Sequence, residues 1–165
     1  LTEKNGELIR DNDERMIFFC RGVLETLQML GWSPDIIHCH GWFTSLLPLY
    51  LKKLHFEHPV FNQTKIISSI HKHGGFKKTL NNQLLEKIKF DGINDEYLNK
   101  LSKPNCDNLY ALAAKFSDGV ILEDGYSNSS IVRSLYNDNT PILEASKEYA
   151  EYYDFYQNFF SEELV

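Results

Sequence analysis

The stretch that decides the fold is residues 31–42, which read GWSPDIIHCHGW. Pro34 cannot continue a helix, and the apolar run after it predicts a short buried strand over 35–40 that ends at Gly41. The strand carries polar side chains at its carboxyl end, which is where open α/β sheets bind ligands. The stretch therefore predicts one strand of a buried sheet and a candidate site at the end of that strand.

Helical and strand patterns alternate on both sides of this stretch. Apolar spacings of three and four residues predict a helix from Asp11-Asn12-Asp13 to Gly31. The other predicted helices cover 42–53, 82–88, 109–116, 126–136 and 148–160; the other strands cover 65–70, 118–122 and 141–143; and 90–105 is predicted as a connector. This alternation predicts an α/β fold, a Rossmann-like parallel sheet with helices on both faces. Because such domains usually open on a strand, we expect the sheet to be incomplete at its N-terminal side.

Composition limits the classes of function. The 165 residues are 42% hydrophobic and 24% charged, with a net charge of -6 and no run of basic residues longer than two, which argues against nucleic-acid or anionic-membrane partners. There is no apolar run of 18 residues and no signal-peptide pattern at the start. The three cysteines are odd in number, have no C-x-x-C spacing and lie in stretches that are otherwise predicted as core, which favours a reducing compartment over a disulfide framework. These features predict a cytoplasmic protein.

The histidines of the 35–40 strand have several possible roles. His38 and His40 are two residues apart, so they point to the same face, and Cys39 points to the other, which disfavours a Cys/His catalytic pair. His38 is interpreted as a structural histidine bonded to neighbouring backbone, whereas His40 suits polar ligand recognition. A two-histidine metal site, completed by His71 or His73, is an alternative.

Three further features could bear on a site. Residues 69–75, SIHKHGG, form a turn after a strand, whose glycines serve backbone geometry or admit a ligand close to the backbone. The pair Glu123-Asp124 either faces the cleft or caps the next helix. The aromatic helix over 148–160 is interpreted as core or interface, with sugar stacking as the alternative. A homodimer contact, or the interface to a missing domain, would pass through this helix.

Several of these segments resemble a known family, the bacterial glycogen synthases and plant starch synthases. Residues 18–27 (FFCRGVLETL) and 31–42 resemble the family's helix and its W-x-P-D-[IV]-[IV]-H-x-H-D-W strand, and 47–51 (LPLYL) resemble L-x-P-x-Y-L. Further matches are 67–71 (ISSIH) and the segment 108–126. The family has two Rossmann-like domains and transfers glucose from ADP-glucose or UDP-glucose to an α-1,4-glucan, glycogen or a maltooligosaccharide, without a metal or other cofactor.

The resemblance also implies site residues. His40 matches the family histidine that contacts the transferred sugar, so it is the predicted catalytic residue. The same matching assigns Gly41, Trp42, His71 and Tyr126 to substrate binding. A hydrogen-bonding group at His40 suits a reaction that develops charge on the sugar ring.

The chain also departs from the family pattern. The family's Asp after the second histidine is Gly41 here, a His after the Trp is Phe43, and the Asn after His71 is Lys72. The resemblance therefore predicts that 1–165 is part of the N-terminal, acceptor-side domain, that the nucleotide-sugar domain is absent, and that this chain alone does not complete the transfer. The alternatives are a degenerate glucan-binding or regulatory module and a small α/β protein with a histidine metal site.

Overall fold

The computed structural model of the chain describes residues 1–2, 7–71, 75–123, 130–137, 139–144 and 148–160. Its centre is a four-stranded, all-parallel sheet in which the spatial order of the strands follows the chain. The strands are β1 (Ile36–His40), β2 (Lys65–Ile70), β3 (Gly119–Leu122) and β4 (Ile142–Glu144). The predicted α/β fold with a parallel sheet is confirmed, and each predicted strand is present within two residues of its predicted bounds.

Six α-helices are present in the described part of the chain. They are α1 (Asn12–Leu30), α2 (Leu47–Tyr50), α3 (Leu84–Phe90), α4 (Cys106–Lys115), α5 (Ser130–Asn137) and α6 (Tyr149–Gln157). The helix α1 ends as predicted, because Gly31 adopts the left-handed conformation (φ 61°) and its N–H donates to the carbonyl of Gln28. This turn leads the chain through Pro34 directly into β1.

The two faces of the sheet are covered differently. Since the strand order follows the chain, right-handed crossovers bring the connecting helices to a single face. There the apolar sides of α1 to α5 form the main core with the alternate strand residues Cys39, Ile66, Ile70, Val120 and Leu122. The opposite face carries Ile67 and Ile121, and α6 packs on it through Phe155. The sheet is thus flanked by helices on both faces, as predicted.

The single helix predicted over 42–53 is wrong. The segment is instead a 3₁₀ turn (Trp42–Thr44), the short helix α2, and a π-helical turn (Leu51–His55). Pro48 stands in the first turn of α2, where its missing N–H is tolerated, but it cannot donate back into a helix begun at Trp42. The break turns the Leu46, Leu47 and Leu49 side chains into the core.

The connector predicted over 90–105 also contains structure that composition did not indicate. A 3₁₀ segment runs over Glu96–Ser102, and the Asp95 side chain accepts a hydrogen bond from the N–H of Tyr97 at its start. Leu98 and Leu101, three residues apart, are buried on one side of it. The polar residues around them made this stretch resemble a loop.

The three cysteines are free and buried, in agreement with their predicted place in the core. Among the described residues, no helix is long and apolar enough to cross a lipid bilayer. A cytoplasmic location stays a prediction.

Candidate functional site

Three polar side chains meet at the carboxyl ends of neighbouring strands. His40 is the last residue of β1, His71 follows β2, and Glu123 follows β3. The ladder continues past the strands, because the N–H of Gly41 donates to the carbonyl of Ser69 (3.2 Å) and the N–H of Glu123 to that of Ile70 (3.0 Å). Strand alternation then places all three side chains on the face that α6 covers.

The three side chains are close enough to bind one ligand. The imidazole rings of His40 and His71 are stacked, with centroids 6.0 Å apart and planes inclined by 22°. Nδ1 of His71 lies 3.7 Å from Oε1 of Glu123. The side chain of His40 is exposed, and those of His71 and Glu123 are partly exposed. This arrangement offers hydrogen-bond donors and acceptors to a solvent-accessible polar molecule.

The protonation state of His40 follows from its surroundings. Partial desolvation at the strand end, and then the neighbouring His71, lower the pKa of His40, while Glu123 opposes that shift. His40 is therefore neutral at pH 7, with one ring nitrogen as donor and the other as acceptor. A neutral imidazole beside a carboxylate suits hydroxyl groups better than it suits anions.

His38 has a structural role beneath this site. Its Nε2 lies 2.7 Å from Oγ of Ser69, and its Nδ1 lies 2.7 Å from the hydroxyl of Tyr156 on α6. Burial, followed by the neighbouring His40 and His71, lowers the pKa of His38 to about 4. The interpretation of His38 as structural is supported, although its partners are side chains rather than the expected backbone. Both nitrogens are engaged, so neither is available to a ligand.

The metal interpretation finds no support in the described ranges, since no group of three His, Cys, Asp or Glu side chains there could hold a metal ion. His73, one of the suggested third ligands, lies outside them. Cys39 lies on the opposite face of β1, in the main core, and burial raises its pKa to about 12. The expected separation of Cys39 from the histidines is confirmed.

Gly41 and Trp42 shape the end of β1 rather than line it with side chains. Gly41 has φ 72° and ψ 179°, a conformation essentially restricted to glycine. The indole of Trp42 is only 6% exposed and packs edge-on against Phe76, with centroids 4.8 Å apart. The hydroxyl of Thr44 lies 3.1 Å from the carbonyl oxygens of both His40 and Gly41. Trp42 thus anchors the strand end from the core, and a substrate role for it would act through the backbone.

Sequence reasoning missed some of the residues that the structure brings together. The cleft-facing alternative for Glu123 agrees with its position beside His71, although the family resemblance did not assign Glu123 to substrate binding. Tyr156 comes from a helix 118 residues away from His38, and no local pattern indicated the contact. Tyr126, a predicted substrate-binding residue, lies outside the described residues, as does Lys72.

The strand ends are distinguished by their chemistry rather than by the size of a cavity. A groove of about 770 Å³ lies between α1 and α3, with Phe18 and Phe90 among its lining residues. Charged side chains at its rim already form ion pairs within the chain, such as that of Arg21 with Asp91. The strand ends instead present hydrogen-bonding groups at the edge where parallel α/β sheets bind ligands.

The fold and this edge define the class, a Rossmann-like α/β domain with a polar site at the carboxyl ends of its parallel strands. The family model for the starch synthase catalytic domain matches residues 3–138, so the chain belongs to that family. The match ends before α6, which lies beyond it.

Individual relatives agree with this membership. The chain is 51% identical to a glycogen synthase of Chlorobium limicola over 67 residues, which are 41% of this chain and 14% of the relative. It is 37% identical to one of Chlorobaculum parvum over 108 residues, 64% of this chain and 21% of the relative. The chain therefore spans between about a seventh and a fifth of these curated relatives.

A solved structure supports the fold. The catalytic domain of starch synthase IV from Arabidopsis thaliana, bound to ADP and acarbose, superposes with a TM-score of 0.64 at 21% identity. The superposition covers 83% of this chain and 30% of that one.

Proposed function

We propose that this chain is an acceptor-side module of the glycogen and starch synthase type and that it binds an α-1,4-glucan at the edge formed by His40, His71 and Glu123. The observation that carries the proposal is the meeting of these three side chains at the carboxyl ends of β1, β2 and β3, in a chain that belongs to the starch synthase catalytic domain family. Gly41 contributes backbone to the same edge, and Tyr126 is retained as a proposed contact from the resemblance alone.

The chemistry of the edge suits a sugar. A neutral imidazole donates one hydrogen bond and accepts another, and a carboxylate accepts from hydroxyl groups, so His40 and Glu123 together match a chain of alternating hydroxyls. The structurally similar starch synthase IV domain was solved with ADP and acarbose. That ligand pair supports a glucan acceptor and an ADP-glucose donor as the ligand classes of the complete enzyme, with UDP-glucose as the alternative donor.

We further propose that these 165 residues do not transfer glucose alone. Departure of a nucleoside diphosphate needs cationic groups or oriented donors at the leaving phosphates. Of the described residues at the carboxyl ends of the strands, Glu123 after β3 and Glu144 at the end of β4 are both acidic and would repel a diphosphate. The proposal predicts no incorporation of labelled glucose from ADP-glucose into maltooligosaccharide, and measurable turnover by the purified chain would overturn it.

A second candidate function is a glucan-binding or regulatory module without turnover. The backbone of Gly41 favours it, because the position that holds Asp in the family resemblance adopts a glycine-specific conformation here. Self-association through α6 belongs to this candidate as well. Tyr149 and Tyr153 on its outer side are exposed, whereas Phe155 is used within the chain.

The decisive experiment is an NMR titration of the full chain with a maltooligosaccharide. Wild type and a His58→Ala control are compared with His40→Ala. His58 is an exposed histidine in the loop that precedes the amino end of β2, whereas His40 lies at the carboxyl end of β1. We expect saturable shifts centred on the strand ends in wild type and in the control, and their loss in His40→Ala. Equal binding by all three proteins, or no shifts at millimolar sugar, would reject the proposed glucan site.

A further inference from the structure

The helix α6 contacts the candidate site although it lies beyond the part of the chain that the family model matches. The contact is made by Tyr156, whose hydroxyl lies 2.7 Å from Nδ1 of His38. The two rings meet edge to face, with centroids 5.9 Å apart. A polar group from α6 is thus placed directly beneath the residues that carry the proposed function.

The orientation of the His38 ring is determined from both ends. Tyr156 holds Nδ1, and Oγ of Ser69 holds Nε2 at 2.7 Å. Because each nitrogen has a partner of its own, rotation of the ring about its long axis, or a change of tautomer, would alter both hydrogen bonds together. Few orientations of the His38 ring satisfy both partners, so the two hydrogen bonds fix the orientation of the ring.

The His38 ring in turn contacts the ring of His40. The ring centroids of His38 and His40 are 3.8 Å apart, with planes inclined by 34°. His71 lies at a ring distance of 6.0 Å from His40. His40 therefore has the His38 ring as its immediate neighbour within β1, and a shift of that ring would displace it.

The helix that supplies Tyr156 is itself well seated. Phe155 is 7% exposed and packs on Ile67 and Ile121, and its ring lies 5.3 Å from that of Phe159. These apolar contacts cover the sheet face without any need for a hydroxyl at position 156. The hydroxyl of Tyr156 therefore requires an explanation beyond covering that face.

We propose that Tyr156 is a positioning residue for His40, acting through His38, so that the docked α6 sets the geometry of the glucan site. This inference rests on the proposed function and deepens it, since it names the element that orients the site. The element is a helix outside the family match rather than part of the matched region.

The test compares three substitutions in the full chain. Tyr156→Phe removes the hydroxyl from one nitrogen of His38, and Ser69→Ala removes the hydroxyl from the other nitrogen without touching α6. Tyr153→Phe is the matched control, because this side chain is 64% exposed on the same helix. Ring NMR signals of the histidines report tautomer and environment, and a maltooligosaccharide titration reports binding.

We expect both Tyr156→Phe and Ser69→Ala to shift the ring signals of His38 and of His40, with Tyr153→Phe matching wild type. Loss of one of the two hydrogen bonds to the His38 ring should raise the Kd for the sugar about threefold to tenfold. His40 signals that stay at their wild-type positions in Tyr156→Phe would overturn the proposal. So would a shift in Tyr156→Phe without one in Ser69→Ala, because the effect would then arise from helix docking and not from His38.

The ring signals keep this test separate from the proposed function. If no variant and no wild-type protein binds the sugar, the glucan site fails, yet the response of His40 to Tyr156→Phe still decides whether Tyr156 positions it. Thermal unfolding of each variant checks that the fold is retained.

Discussion

Gly119 and Phe159 are in direct contact on the sheet face that α6 covers. Cζ of Phe159 lies 2.5 Å from the position that a Cβ on residue 119 would occupy, and Cζ of Phe155 lies 3.1 Å from it. The missing side chain at the start of β3 thus creates the space for the Phe159 ring, which lies just beyond the end of α6. Packing of α6 depends on this glycine.

Gly119→Ala is expected to displace the Phe159 ring and loosen α6. An added methyl in a packed position costs about 1–3 kcal/mol, and the flexible end of Phe159 should keep the loss of unfolding free energy near the lower limit. Urea unfolding measures that loss. Amide hydrogen exchange in the variant, compared with wild type, should be accelerated more in α6 than in α4.

Gly22→Ala is the control for this substitution. A Cβ at Gly22 meets nothing within 4 Å, and the residue lies in the middle of α1. Alanine there should stabilise the protein by about 0.5–1 kcal/mol, because glycine is unfavourable inside helices. The two glycines should respond with opposite signs, and a Gly119→Ala protein as stable as wild type would contradict the close contact described for Phe159.

The backbone of Gly41 leads to a second prediction. Space is not limiting there, because a Cβ would meet Cδ2 of His71 at an ordinary 3.7 Å. The constraint is the conformation, φ 72° with ψ 179°, which costs a residue other than glycine about 1–3 kcal/mol. Gly41→Asn should therefore lower the unfolding free energy by that amount, as measured in urea.

Gly31 provides the comparison. Its φ of 61° and ψ of 24° lie in the left-handed helical region, which asparagine tolerates, so Gly31→Asn should cost under about 1 kcal/mol. A smaller loss at Gly41 than at Gly31 would show that the strand end relaxes freely. Gly41→Asp should suffer the same strain as Gly41→Asn, so it should not by itself restore the family's site.

The strand β1 could be predicted from sequence because every signal for it is local. Pro34 stops the preceding segment, β-branched residues follow, and Gly41 ends the strand, all within ten residues. The same locality explains the success at the end of α1, where Gly31 supplies the left-handed turn. His40 and His71 were both assigned to the site by the family resemblance, and they lie together because parallel strands bring their carboxyl ends to one edge.

One failure depends on a local proline, and the others depend on contacts between distant residues. Pro48 breaks the segment after β1, but the sequence alone did not indicate that its parts would adopt 3₁₀, α-helical and π-helical conformations. The helix α6 is rich in aromatic residues, so periodicity could not separate the buried Phe155 from the exposed Tyr153. The hydrogen bond of Tyr156 with His38 depends on that unknown rotation of the helix as well as on its docking.

The environment of His38 predicts a dependence of stability on pH. The pKa of His38 is about 4 in the folded chain, against about 6.5 when unfolded, so between these values the unfolded state binds more protons. The contribution of His38 to stability is therefore present above pH 6.5 and is lost as the pH falls toward 4. The titratable groups that face the ring are His40 on β1, His71 after β2 and Tyr156 on α6.

Urea unfolding at pH 7 and at pH 4.5 measures this effect against His38→Gln. Other groups titrate in the same range, so the informative quantity is the difference between wild type and variant. Allowing for partial exposure of the ring, the acid-induced loss should be smaller in His38→Gln by on the order of 1 kcal/mol. Identical losses in the two proteins would mean that His38 titrates freely in the folded chain.

The ion pair of Lys87 with Asp13 joins α3 to the start of α1. It should contribute more to stability than the exposed ion pair of Lys89 with Glu86. Nζ of Lys87 lies 2.6 Å from Oδ2 of Asp13, whose side chain is 0% exposed. Lys87→Met leaves this carboxylate buried without its cation, which should cost about 3–5 kcal/mol of unfolding free energy. Lys89→Met removes a 3.2 Å pair with the exposed Glu86 and should cost under about 0.5 kcal/mol.

The reason for the difference is the desolvation of Asp13 rather than the attraction itself, and the double variant separates the two. Asp13→Leu combined with Lys87→Met removes both charges, so it should recover most of the stability lost in Lys87→Met alone. Equal losses in Lys87→Met and Lys89→Met would mean that water reaches Asp13 when its partner is removed. A double variant no more stable than Lys87→Met would instead assign the loss to packing of the lysine stem against α1.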